Sequence, residues 1–364
     1  MSKAAELAAL IGSQSALSNR NLIINGAMQV AQRGTSHAAL SGYGLDRFKA
    51  SSSSDGAVTV TQSTTVPSGE GFKNSMKFDV TTADTSLSAS QYYQFFQPIE
   101  GQNFAHLMFG TSDAKSVTLS FWCRSNKTGT YVTTFMNSAA NRFNPNNFTI
   151  NSANTWEKKT ITVTGDQSGT WLTTNGIGIY VIWNLALGSD FDDGTNGTWG
   201  SGDYGSGGNV NFLDSTSNEF YITGIQLEIG EQATPFEHRP YGDELLACMR
   251  YYQQIGGETP ANTLCTGQCT SSTLAQFWIP FIVPVRDDPT CSVSDQTHFR
   301  VFNAAVSGIP DTTNMTIAAT NAASHGGFRI QATVGSGLSA GNATMLSGSD
   351  SDGNAGIIKM DAEL

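Results

Sequence analysis

Apolar and polar positions alternate with a period of two in one short run after another along most of the chain. Val58 and Val60 alternate with Thr59 and Thr61, and Met76, Phe78 and Val80 alternate with Lys77 and Asp79. In SVTLSFWCRS, Val117, Leu119, Phe121 and Cys123 share one face, opposite Thr118, Ser120, Trp122 and Arg124. Ile161 and Val163 alternate with threonines, and Ile225, Leu227 and Ile229 stand opposite Gln226 and Glu228. A period of two sends successive side chains to opposite faces of a strand, so each run has one buried and one wet face. With Gly, Asn and Asp turn signals between the runs, among them Asn25-Gly26, the pattern predicts an antiparallel sandwich over residues 21–240. No long helical period interrupts it, which argues against a βαβ fold.

Two short helices flank this region in the pattern. Ala4, Leu7, Ala8 and Ile11 form a stripe at helical spacing, predicting an N-terminal helix within residues 1–20. A helix this short is marginal alone, so the stripe suits a parallel bundle of three chains at an oligomer axis. Residues 241–256 predict a linking helix. Asp243 and Glu244 stand at its start and Arg250 near its end, Leu245, Cys248, Met249 and Tyr252 form its stripe, and Gly256-Gly257 stops it. Residues 257–364 return to strands as a second β-rich unit. Phe277, Ile279, Phe281 and Val283 share a face, and Pro280 and Pro284 opposite them predict an edge strand or a subunit boundary. Phe328, Ile330 and Ala332 alternate with Arg329 and Gln331, and GIIKMDAEL closes the chain as a strand.

Composition narrows the function classes. Of 364 residues only 13% are charged and 39% hydrophobic, with 38 glycines, a balance of turns and short strands rather than helices. The net charge of −11 argues against nucleic acid, whose phosphates are bound by clustered Lys and Arg. No run approaches the ~20 apolar residues that span a bilayer, so no membrane insertion is expected. MSKAAELAALIG has no convincing cleavage site and reads as no secretory signal, so a chain acting outside the cell would leave by lysis. Cys123, Cys248, Cys265, Cys269 and Cys291 lack CxxC spacing and read as buried free thiols, a Cys265–Cys269 disulfide being the alternative.

Candidate chemistry is sparse. His37, His106, His238, His298 and His325 fit no metal frame, and no GxSxG elbow is present, so no catalytic residue, metal or cofactor is assigned. Asp190, Asp192, Asp193 and Asp203 crowd the loop GSDFDDGTNGTWGSGDYGSGGN. Catalysis by two acids would make the chain a polysaccharide depolymerase, and the Asp190, Asp192, Gly194, Asn196 spacing loosely resembles a calcium loop but lacks the closing Glu. The same loop carries Trp199 and Tyr204. Aromatic faces stack on the C–H side of sugar rings while Asp203 and neighbouring amides take hydroxyls, so Trp199, Tyr204 and Asp203 are candidate ligand contacts, as are Trp122 and Trp171. The alternative is that these rings pack on a neighbouring subunit. QYYQFFQ, residues 91–97, reads as core and interface. In TPFEHRPYG the prolines stiffen a bend in which Glu237 and Arg239 pair, a structural role.

The runs SVTLSFWCRSNKTGTY, NTWEKKTITVTGD and FYITGIQLE resemble strands of carbohydrate-binding-module jelly rolls. FYITGIQLEIGEQATPFEHRPYGDELLACMRYYQQI resembles the junction in bacteriophage tail-fibre, receptor-binding proteins where such a sandwich passes to a C-terminal tip, and GIIKMDAEL is similar to tip termini. The resemblance implies a non-enzymatic homotrimeric virion protein for host attachment. Its partners would be a host-surface glycan and, through the N-terminus, other tail proteins. A structural capsid-fibre or decoration protein shares these features, and a secreted cellular sugar-binding module is weaker for want of a signal.

Overall fold

A computed structural model describes residues 19–257, 263–303, 309–319 and 322–364. The predicted N-terminal helix lies outside the described residues. The chain divides into two units, Met1–Glu244 with Leu364, and Leu245–Glu363.

The first unit is built from β1 (Ser36–His37), β2 (Gly42–Tyr43), β3 (Lys49–Ser52), β4 (Ala57–Ser63), β5 (Ser75–Thr82) and β6 (Tyr92–Glu100), then β7 (Val117–Ser125), β8 (Gly129–Met136), β9 (Phe143–Ile150), β10 (Glu157–Val163), β11 (Ile177–Leu187) and β12 (Glu219–Ile229). They form two six-stranded antiparallel sheets, ordered β1-β4-β5-β12-β7-β10 and β2-β3-β6-β11-β8-β9. This is the antiparallel sandwich that the alternation predicts, of the jelly-roll kind that the resemblance implies. The faces follow the pleat: Val117, Leu119, Phe121 and Cys123 of β7 are buried between the sheets, with Val58, Val60, Phe78, Leu227 and Trp183. Trp183 stacks on Phe95 at 5.1 Å and meets Phe121 edge-on at 5.8 Å, so large rings from both sheets fill the centre.

Two local features fix how the layers meet. Asn25 sits at φ 62°, its side chain accepting from Val30 N and donating to the Val30 and Asp46 carbonyls. A Cβ on the adjacent Gly26 would lie 2.1 Å from the Ile225 carbonyl oxygen, so only glycine lets this turn reach β12. Gln226 and Glu228, expected on the wet face of β12, are fully buried. Residues 234–237 cross that face: Thr234 donates to Glu228 through both its N–H and its hydroxyl (2.8 and 2.6 Å), and Glu237 N donates to Gln226 (2.8 Å). Glu237 and Arg239 lie 3.4 Å apart, as the bend was expected to place them.

The helix after the sandwich is Tyr241–Met249, shorter than expected, because Tyr252–Gly256 is a strand (β13). Tyr252 suits a helix stripe as well as a strand, and pairing with the C-terminal strand decides between them. The second unit continues with β14 (Thr263–Cys269), β15 (Leu274–Pro280), β16 (Thr290–Val293), β17 (Arg300–Asn303), β18 (Thr312–Ala318), β19 (Gly327–Val334), β20 (Ala343–Ser347) and β21 (Ile357–Asp361). These make a three-stranded sheet, β13-β21-β16, and a six-stranded one, β17-β20-β14-β15-β19-β18. Its core includes Phe277, Ile279, Phe328, Ile330, Leu346, Ile358 and Met360. The prolines predicted an edge, yet β15 is interior; Pro280 is its last residue and Pro284 lies beyond it, so neither breaks the ladder within it. None of the five cysteines is in a disulfide, and Cys265 and Cys291 are only half-buried. Among the described residues, no helix is long and apolar enough to cross a membrane.

Candidate functional site

The outer face of the sheet carrying β6, β11, β8 and β9 brings aromatic and amide side chains together. In β6, Tyr93 and Phe95 face the core, so Tyr92, Gln94 and Phe96 face out; in β11, Val181 and Trp183 face in and Tyr180, Ile182 and Asn184 face out. Phe96, Ile182, Met136 and Phe143 form an apolar floor on this outer face, with Tyr180 and Tyr204 packed against it.

Tyr204 arrives on the loop between β11 and β12, which is sewn onto the sheet. Phe143 and Gly200 exchange two backbone hydrogen bonds of 2.9 Å. Asn147 N donates to Asn196, and the Ser206 hydroxyl to Asn147, both at 2.8 Å. The Tyr204 carbonyl accepts from the Thr134 hydroxyl and from the Asn184 amide. Rings then run edge-on across the face: Phe143 to Tyr204 at 5.2 Å, Tyr204 to Phe191 at 5.9 Å, Phe191 to Tyr92 at 5.5 Å. Burial raises the Tyr204 phenol, and Tyr92 and Tyr180 nearby raise it further, which places three phenols in one neighbourhood.

Two amide oxygens on this face lack partners. Gln94 and Asn184 are direct register partners on neighbouring strands, 7% and 0% exposed. Neither Gln94 Oε1 nor Asn184 Oδ1 accepts a hydrogen bond from any described residue. A buried acceptor left unmet costs about 1–3 kcal/mol.

The sequence-derived candidates separate into three places. Tyr204 and Asp203 lie on the loop over this face; Asp203 is raised by partial burial and by the adjacent Asp193 and Asp192. Trp199 and Trp171 meet edge-on at 5.3 Å, packed with Phe109. Their indole N–H groups are committed to Thr164 O (2.7 Å) and Ser168 O (3.0 Å), and Trp171 is only 8% exposed, so it acts as packing. Trp122 is half-buried on the outer face of the other sheet, opposite Lys158 and Thr223. Sequence reasoning missed Tyr92, Gln94, Phe96, Tyr180 and Asn184. The signal was present in QYYQFFQ, where two aromatic sets interleave and only one can face the core. Among the described residues no three His, Cys, Asp or Glu side chains group to hold a metal, and of the loop carboxylates Asp192 accepts from Gly207 N at 2.8 Å.

No protein-family model and no curated protein matches this chain. Solved structures do. The enzymatically active domain of bacteriophage CBA120 tailspike protein 4 is similar at 13% identity and TM-score 0.33, covering 58% of this chain and 22% of that one. The family 11 carbohydrate-binding module from Clostridium thermocellum, solved with a β-1,3-1,4-mixed-linked tetrasaccharide, is 11% identical with TM-score 0.29, covering 55% and 98%. TmCBM61, solved with β-1,4-galactotriose, is 10% identical with TM-score 0.30, covering 58% and 100%. At these identities and scores the similarities identify no family.

Proposed function

We propose that this chain is a host-attachment protein of a phage tail fibre, a homotrimer whose sandwich binds surface glycan on the outer face of the β6-β11-β8-β9 sheet. One observation carries the glycan reading: the half-buried rings of Tyr92, Tyr180 and Tyr204 gather on this outer face, above the buried amides of Gln94 and Asn184. Sugars offer C–H faces for such rings and hydroxyls for the polar groups at their edge. Oriented polar groups in an aromatic setting are the usual make-up of a small-ligand site. The trimer, the tail location, the N-terminal link to other tail proteins and release by lysis rest on the sequence resemblance and on the N-terminal stripe.

A glycan array of neutral oligosaccharides, followed by calorimetry on the full chain, tests this reading. Tyr180→Ala and Gln94→Ala are expected to weaken the best neutral ligand by about tenfold each, one hydrogen bond or ring contact apiece. A blank array, or unchanged affinity in both variants, refutes the site.

A depolymerase is the second reading, in which two acids of the loop that brings Asp203 near Asp192 and Asp193 would act together. New reducing ends from host polysaccharide, lost in Asp203→Asn, would establish it, and none would remove it.

A further inference from the structure

The six-stranded sheet of the second unit buries one face and leaves the other open, and its charge differs from that of the rest of the chain. Strands β14, β15, β17, β18, β19 and β20 contain no Asp or Glu, although the chain has 30, and they carry Arg300 and Arg329. Phe277, Ile279, Phe328 and Ile330 point to the core. The alternate positions therefore point outward, and Trp278 among them is 49% exposed. Its direct register partner is Arg329, and the next outward pair is Gln276 with Gln331. Directly opposed residues in an antiparallel pair carry Cβ atoms about 4.5–5.5 Å apart, so the two side chains rise from neighbouring positions on the open face.

Both groups are disposed for a ligand. A Cβ on Gly327 would lie 2.9 Å from Trp278 Cζ2 and 2.4 Å from the Ile279 carbonyl oxygen, so the indole reclines along bare glycine backbone. The Arg329 residue is exposed, and its side chain makes no hydrogen bond or ion pair with any described residue. Arg300, in contrast, is committed to Ser349 O at 2.9 Å and lies 5.9 Å over the Phe302 ring.

We propose that Trp278 and Arg329 form a contact site for a carboxylate-bearing sugar unit of an acidic polysaccharide. The indole stacks on the C–H face of the ring, the guanidinium forks onto the carboxylate, and Gln276 and Gln331 take hydroxyls. Local charge complementarity selects this occupant: an arginine side chain without a partner on strands free of Asp and Glu is matched to an anion, against the chain's overall net charge of −11. A second copy laid face to face would instead oppose two unpaired arginines, which disfavours it. The site is in the other unit from the neutral-glycan face and does not rest on that reading.

Calorimetry on the full chain with α-1,4-trigalacturonate and its uncharged galactose counterpart tests the proposal. The acid is expected to bind at least about tenfold more tightly than the neutral trisaccharide, the contribution of one charge-assisted pair. Trp278→Ala removes acid binding, Arg329→Gln lowers it to the neutral level, and Arg329→Lys restores part. Trp278 is exposed, so an unchanged thermal melt establishes that the variants fold. Tyr180→Ala, which probes the sandwich, leaves acid binding intact. Equal binding of the two trisaccharides, acid binding that survives Trp278→Ala, or acid binding lost only in Tyr180→Ala each overturn the assignment. So does a fall in assembly mass on Trp278→Ala, which would make the face a contact between copies.

Discussion

Glu157 illustrates how a single side chain can carry a turn and a pH dependence together. Burial pushes its carboxyl up, but the Lys159 ammonium at 2.6 Å and donors from Ser152 N, Asn151 Nδ2 and Asn151 N at 2.8–2.9 Å outweigh it and hold it at about 2. A folded value below the ordinary 4.5 means that the stabilisation is fully present above about pH 4.5 and is lost as pH falls toward 2. Urea midpoints measured from pH 6 to pH 2 should therefore fall more steeply in the natural chain than in Glu157→Gln; parallel curves would contradict this. Gly224 is the second single-residue case. It lies at φ 62° in the register shift of β12 between Thr223 and Gln226, and a Cβ there would meet the Phe72 ring at 2.5 Å. Gly224→Ala adds backbone strain to a clash, so a loss of about 2–4 kcal/mol is expected in chemical denaturation. None of these partners was legible in the sequence. The candidate aromatics have the same history: Trp171, Trp199 and Tyr204 have equal claims as sugar contacts from composition alone. Topology then packs Trp171 against Phe104 and Phe109 and lays Tyr204 on Phe143.

At the level of elements, alternation reads the face that points between the sheets and is silent about the other. Val117, Leu119, Phe121 and Cys123 are buried as the period-two pattern requires. The opposite face of β12 is also buried, because residues distant in pattern though close in sequence fold back over it. The outer face of β6 escaped the reading for a related reason, its Tyr92 and Phe96 being as aromatic as the core pair Tyr93 and Phe95. The interior position of β15 was likewise hidden, since a proline at a strand end and one inside it look alike until the partners are known. The crossing segment over β12 can be tested by itself. Thr234→Val removes the 2.6 Å hydroxyl bond to the fully buried Glu228 and leaves the backbone donor in place. A hydrogen bond to a charged group contributes about 1.5–3 kcal/mol, so a destabilisation of that size is expected. Glycan affinity should be unchanged, because Thr234 covers the opposite sheet from Gln94 and Tyr180. A variant that keeps its stability but loses glycan binding would reverse the assignment of these two faces.

For the whole molecule, the two proposed contact faces use different chemistry, and each is small: a few rings and amides on the sandwich, one indole and one guanidinium on the second unit. Sites of this size bind weakly one at a time. Assembly changes that, because linked sites engage a surface with an effective concentration set by their spacing, and the gain reaches 10²–10⁴ without any new contact. The trimer we propose therefore makes a paired prediction. Light scattering on the full chain should return three times 38.7 kDa. On a sensor surface, dissociation from densely coupled ligand should be slower than from sparse ligand by about two orders of magnitude or more, while calorimetry with the free oligosaccharide stays at single-site affinity. The second measurement discriminates even where the first is ambiguous. A chain that associates through faces unrelated to attachment would show the larger mass with no dependence on ligand density, and a solitary 38.7 kDa chain would show neither. Density dependence abolished by Tyr180→Ala would assign the multivalent contact to the sandwich, and density dependence abolished by Trp278→Ala would assign it to the open sheet of the second unit.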